Sequence, residues 1–236
     1  MAAGNKGSLT RERIVERAGR LASREGIEGL TIGVLAADLG MSKSGLIAHF
    51  RSKQEMQLAV LKAWVARFQE RVTRPALRAR RGLARLQLLF KLWMAWLDDK
   101  SSSGGCLFIA ASTELDDRDG PIRDYLAEQQ QQLVDLLAGL AQAAVAADEF
   151  RPDVDVRQLA FELHGIVLST HHAQRLLRDP QASLRAQAAF ERLCADALPR
   201  PTRYRDLSAE AKKHERSFLS GGPPVTAAHK SERSKS

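Results

Sequence analysis

Residues 40–50 read GMSKSGLIAHF, a polar stretch with two glycines, a Ser-Lys-Ser run and a histidine, set between helical patterns on both sides. A helix so brief is unstable alone, because nucleation fixes several residues before the first hydrogen bond is returned. The neighbouring stretch, Thr31 to Leu39, is also short, so the two must hold each other. Thr31 and Ser42 are N-cap residues whose side-chain oxygens can accept a first-turn N–H. Gly40 suits the positive φ of a tight turn, and Ala36 lets two backbones approach. Leu35, Leu39, Met41 and Leu46 bury the elbow against Ile14, Ala18 and Leu21 of an amphipathic helix over residues 10–25. Lys43, Ser44, Ile47 and Ala48 are left outside, with His49 at the margin. A polar helix projecting from a three-helix platform is how a helix-turn-helix reads the major groove.

Outward from this stretch the pattern stays helical. Ser52-Lys53-Gln54-Glu55 is a capping box that opens a long helix to about Val72, with the Glu55 carboxylate reaching back to the Ser52 N–H. Helices are expected over 82–98, 106–115, 121–147, 156–178 and 182–197, separated by the loop at 100–105, the turn at 116–120, Arg151-Pro152-Asp153 and Asp179-Pro180. No stretch alternates as a strand would. The expected fold is all-α, a three-helix helix-turn-helix domain followed by an all-helical body. The divisions are a flexible N-terminus at 1–8, the DNA-binding domain at 9–55, the body at 56–198 and a basic, mostly disordered tail at 199–236 with a brief helix near 208–218.

Composition excludes several classes. Hydrophobic residues make up 44% of the 236 and charged residues 27%, ordinary for a globular chain. No run approaches the roughly 18 apolar residues of a membrane span. The opening MAAGNKGSLTRER has no signal-peptide core, so the expected location is the cytoplasm. Cys106 and Cys194 form no disulfide scaffold or metal-ligand spacing. The net charge of +8 is confined to the ends: residues 1–53 carry nine Lys/Arg against five Asp/Glu, 54–199 eighteen against nineteen, and 200–236 nine against four. That is the pattern of a polyanion-binding head on a near-neutral body, or of solvated termini.

RERIVERAGRLASREGIEGLT (residues 11–31) and LAADLGMSKSGLIAHFRSKQEM (35–56) resemble the DNA-binding region of TetR-type transcriptional regulators, over about residues 9–60. One departure is Ile47, where the family usually has tyrosine; an apolar contact, as to a thymine methyl, then replaces a phosphate hydroxyl contact. The resemblance implies that Thr31 offers its N–H and hydroxyl to a phosphate at a helix N-terminus. Ser42 caps the recognition helix and touches phosphate, Lys43 meets phosphate or a guanine edge, and Ser44 and Gly45 lie against the groove. Lys53 clamps the backbone. His49 either bonds a phosphate or supports the core residue Phe50.

By the same resemblance the body dimerises and encloses a small-molecule cavity whose occupancy modulates or releases a palindromic operator, most often in repression. The dimer face is placed on the last two helices, at Leu159, Leu163, Ile166, Val167 and Thr170 with Leu184, Ala188 and Leu193, where burial inside one monomer is the alternative. Phe90, Trp93, Trp96, Phe108, Phe161 and His164 are candidate cavity residues, with an unknown effector. Glu114 meets a cationic ligand or faces solvent. No cofactor and no catalytic role are expected. The rival readings are an all-helical metal-dependent enzyme and a nonspecific nucleic-acid binder. His164, His171 and His172 lack the carboxylate or His-Glu spacing of a zinc site, and neither a Gly-x-Ser-x-Gly elbow nor a Walker loop is present.

Overall fold

A computed structural model describes residues 3–99 and 105–199, with side chains from Arg11 onward. The expected tail, apart from Pro199, and most of the 100–105 loop lie outside the described residues. The order is α1 (Ala3–Glu25), α2 (Ile32–Leu39), α3 (Lys43–Ile47), α4 (Lys53–Phe68), a π-helical turn (Gln69–Thr73), α5 (Arg74–Arg78), α6 (Leu83–Leu97), α7 (Leu107–Leu115), α8 (Pro121–Val145), α9 (Val156–Arg175) and α10 (Ala182–Ala197). Among the described residues there is no strand.

The starts of the short helices follow their caps. Thr31 accepts from the Val34 N–H at 3.1 Å, Ser42 from Gly45 at 3.0 Å and Ser52 from Glu55 at 3.0 Å. The Glu55 carboxylate closes its box on the Arg51 N–H rather than that of Ser52, at 3.0 Å. Helix α1 begins at Ala3, well before Thr10, since extending a formed helix costs far less than nucleating one. The long helix expected to end near Val72 instead widens after Phe68 into the π turn, where the Arg74 N–H reaches back to Gln69 O, and continues as α5. Pro75 follows at once; it has no N–H to give, and the wider turn lets the helical path pass it.

Two buried clusters form. One gathers Ile14, Ala18, Leu35, Leu46, Phe50 and Val60 with Leu107, Leu115, Ile122 and Leu126, so α7 and the start of α8 pack into the core of the head. The other joins Leu86, Phe90 and Trp93 to Leu137, Leu163 and Phe190. Leu35, Leu46 and Phe50 are fully buried. Each such side chain contributes about 1.5–3 kcal/mol when taken out of water, enough to offset the nucleation cost of α2 and α3. Trp96 and Phe108 touch both clusters and mark the seam.

Candidate functional site

The turn between α2 and α3 is set by Gly40, at φ 63°, whose N–H returns to Ala37 O. Ser42, Lys43, Ser44 and Ile47 are exposed, Thr31, Gly45 and His49 half-buried, and Phe50 is buried beneath the Arg11 guanidinium, 4.8 Å from the ring centroid. Ile47 leaves 52% of its surface in water. A Cβ added at Gly33 would lie 3.4 Å from Lys43 Cε and 3.8 Å from its Nζ, so the lysine crosses the first turn of α2. Its ammonium therefore stands beside the positive end of the α2 dipole, a pairing that attracts an anion. Lys53, expected as a backbone clamp, is paired with Glu28 at 3.3 Å in this structure, and Arg118 meets the same carboxylate oxygen at 3.4 Å.

The head is tied to α7 by Glu114. Its carboxylate accepts the Ile27 N–H at 2.8 Å and the Glu28 N–H at 2.9 Å. Gly26 precedes them at φ 83°, and a Cβ there would come within 2.9 Å of either carboxylate oxygen. Gln57, buried on α4, donates to Ile27 O at 2.6 Å from the other side. Half-buried Glu114 thus fills the hydrogen-bonding needs of the α1–α2 turn rather than simply facing solvent.

Along the seam lies a cavity of about 230 Å³, lined from α4, the π turn, α6, α7, α8 and α9. Trp93, Trp96, Phe108 and His164 are in its wall, as are Trp64 and Phe68 and the amides of Gln129, Gln130 and Gln132. Phe68 stands edge-on to Trp93, at 5.5 Å between centroids, and to Trp96 at 5.6 Å; Trp64 is edge-on to Trp96 at 6.4 Å. Burial holds the His164 imidazole below its usual pKa, which favours its neutral form. Trp64 is 4% exposed and its indole N–H has no acceptor. The opposite ring edge rests on α1, where a Cβ added at Gly19 would come within 2.5 Å of Trp64 Cζ3.

Phe90 and Phe161 do not join this wall. Phe90 is stacked on Phe190 in the body core, at 4.1 Å and 7°, because it turns toward α10 rather than toward the seam. Phe161 faces away, 71% exposed on α9. The pair α4 supplies, Trp64 and Phe68, was missed; their spacing of four places them on one helix face, a signal that was legible.

On α9, Leu159, Leu163, Val167 and Thr170 are buried within the monomer and Ile166 is half-buried, so they do not form an open face. On α9 the side left in water is a different stripe, Phe161, Gly165, whose Cβ position meets nothing within 4 Å, and Leu168, while on α10 the expected Leu184 and Ala188 are exposed and Leu193 is half-buried. Leu176 and Leu177, just past α9, are also exposed. Among the described residues no group of three His, Cys, Asp or Glu could hold a metal ion, and no helix is long and apolar enough to cross a membrane.

Comparison with family models matches residues 14–60 to the tetR family of bacterial regulatory proteins and residues 82–190 to the tetracyclin repressor-like C-terminal domain. The chain belongs to the TetR family of transcriptional regulators. As a member it is a DNA-binding regulator, with an N-terminal helix-turn-helix and a C-terminal helical domain. Solved TetR-family structures share the fold at low identity. A transcriptional regulator from Cytophaga hutchinsonii superposes with a TM-score of 0.72 at 20% identity, over 83% of this chain and 98% of that one. A putative regulator from Saccharomonospora viridis in complex with choline gives 0.67 at 24%, over 82% and 100%. AibR, in complex with isovaleryl coenzyme A and operator DNA, gives 0.62 at 23%, over 80% and 98%. No curated protein matches the sequence.

Proposed function

We propose that this TetR-family chain is a homodimeric repressor, acting in the cytoplasm, that reads a palindromic operator through α3 and is released when a small molecule fills the seam cavity. The observation that carries the reading is the placement of one wall between cavity and head: Trp64 lines the cavity and rests on Gly19 of α1. On the DNA side, Ser42, Lys43 and Ser44 meet phosphates and groove edges, Gly45 allows close approach and Ile47 supplies an apolar contact. Thr31 holds a phosphate at the start of α2 and His49 lies at the rim. Lys53 exchanges Glu28 for a phosphate; both partners are more than a third exposed, and such a surface pair is worth only about 0–1 kcal/mol.

Dimerisation is placed on α9 and α10 through the exposed stripe of Phe161, Leu168, Leu184 and Ala188, with Gly165 allowing a close crossing. Two heads joined in this way read two half-sites at high effective concentration. Two relatives support the effector reading by what they hold: AibR both isovaleryl coenzyme A and operator DNA, the Saccharomonospora protein choline. The proposed role is regulatory and not catalytic. Selection of bound duplexes from a random pool, with the dimer confirmed by sedimentation, tests it. Enrichment of a palindrome with half-sites about one helical turn or slightly more apart is the expected result; a monomer that enriches no motif contradicts it.

A further inference from the structure

Two cations share one carboxylate where the head meets the body. Glu28, in the α1–α2 turn, has its backbone N–H held by Glu114 at 2.9 Å, and its Oε1 accepts from the buried Gln57 amide at 3.4 Å, so the carboxylate is fixed in place. Its Oε2 faces both Lys53 Nζ at 3.3 Å and Arg118 Nη1 at 3.4 Å. Lys53 begins α4 in the head. Arg118 lies 90 residues from Glu28 in the chain, in the α7–α8 turn, and its N–H bonds to Leu115 O at 3.2 Å, which ties that turn to the end of α7. Residues 116–119 read Asp-Asp-Arg-Asp, yet the arginine reaches out of its own acidic turn to the carboxylate of the head.

The trio carries one positive charge in surplus. A phosphate arriving at the start of α4 is drawn by the positive end of the helix and by the Lys53 ammonium. With Arg118 in place, Lys53 turns to the phosphate and a neutral Glu28–Arg118 pair stays behind. Without it, Lys53 and Glu28 form a closed pair; the phosphate has to open that pair and then lie beside a bare carboxylate, a like-charge contact. We infer that Arg118 is a positioning residue for DNA binding: it covers Glu28 and so frees Lys53 to grip the DNA backbone. It acts through Glu28 and not by a DNA contact of its own, and it places one contact of the head under the hold of the body. This rests on the reading of Lys53 as a phosphate clamp.

The test is a double-mutant cycle on the dissociation constant of the full chain for its enriched duplex, at low salt, where exposed charges are least screened. The Arg118 side chain is 63% exposed, so its removal leaves the core intact. Arg118→Ala should weaken binding about threefold, within the range of an exposed ion pair. In the Glu28→Gln background the same change should have no effect, because no carboxylate is left to cover. Arg118→Lys should bind as the wild type does, since a single guanidinium nitrogen makes the contact and the fork is not used. A loss that persists in Glu28→Gln overturns the proposal, for Arg118 then acts on DNA directly; so does an Arg118→Ala chain that binds as the wild type, or an Arg118→Lys chain as weak as Arg118→Ala. Lys53→Ala separates the proposal from the reading beneath it, and should weaken binding to operator and scrambled duplex alike. If Lys53→Ala loses affinity while Arg118 and Glu28 show no coupling, the clamp stands and the role of Arg118 falls. If Lys53→Ala changes nothing, both fall.

Discussion

Glu114 and Glu149 use one device in two places. Glu149, after α8, accepts the Leu83 N–H at 2.6 Å and pairs with Arg80, beside Gly82 at φ 92°. Glu114 accepts two N–H groups beside Gly26 at φ 83°. In each case the carboxylate occupies space that a Cβ on the glycine would need. What differs is the pair of segments joined. Glu149 ties the α5–α6 turn to the end of α8, within one body. Glu114 ties the turn of the DNA-reading head to α7, whose Phe108 and Ile109 line the cavity. The same local chemistry is a brace within the body in one place and a tie between head and α7 in the other, which the proposed effector response would use as a coupling.

The largest effect is expected at the coupling. Glu114→Ala leaves the Ile27 and Glu28 amides without their partner, a loss of about 2–6 kcal/mol in denaturant titration, and should weaken the effect of a cavity ligand on operator affinity. Glu149→Ala orphans a single amide, about 1–3 kcal/mol, and should leave the ligand response as in the wild type. If the two variants blunt that response equally, the distinction between brace and coupling is lost. Gly19→Ala drives a methyl into the Trp64 ring; overpacking of this kind costs about 1–3 kcal/mol, and a ligand affinity unchanged by it would mean that Trp64 does not link α1 to the cavity. Lys43→Ala, remote from both joints, should lower operator affinity with little change in stability. If it contacts phosphate, the slope of log affinity against log salt shrinks by about one; if it reads a base, about 1–3 kcal/mol of discrimination disappears at one position. No change in either quantity would remove it from the interface.

The smallest effect is one of pH. Burial holds His164 below the ordinary value of about 6.5, so as pH falls through that value the unfolded chain takes up the proton first and stability declines. Above it this contribution is complete. His171 acts in the same direction, from burial and from Arg175 and His172. His164→Gln should therefore reduce the acid-side slope of stability without abolishing it. A slope that stays unchanged in that variant would place the imidazole in water rather than in the cavity wall.

The head was legible because its devices are short-range. Thr31, Ser42 and Ser52 each cap an amide three residues on, and Gly40 turns the chain within one residue. The Glu114 bonds span 87 and 86 residues, and nothing local in Ser-Thr-Glu-Leu announces them. Helix α9 shows the other limit. It is apolar on two sides, Leu159, Leu163 and Val167 on one and Phe161 and Leu168 on the other, and periodicity alone does not say which side meets its own core. Phe90 shows the same limit, since its partner Phe190 lies a hundred residues away on α10. The packing of α7 is of this kind too: by sequence it lies in the body, and its Leu107, Ala111 and Leu115 join the core of the head.

The most direct measurement is the dissociation constant of the full chain for its enriched duplex and for a scrambled duplex of equal length, each at two salt concentrations. A sequence reader should favour its operator by roughly 10³-fold or more at both salts. Equal constants on the two duplexes, falling together as salt rises, would contradict it and leave only a cationic surface bound to phosphate.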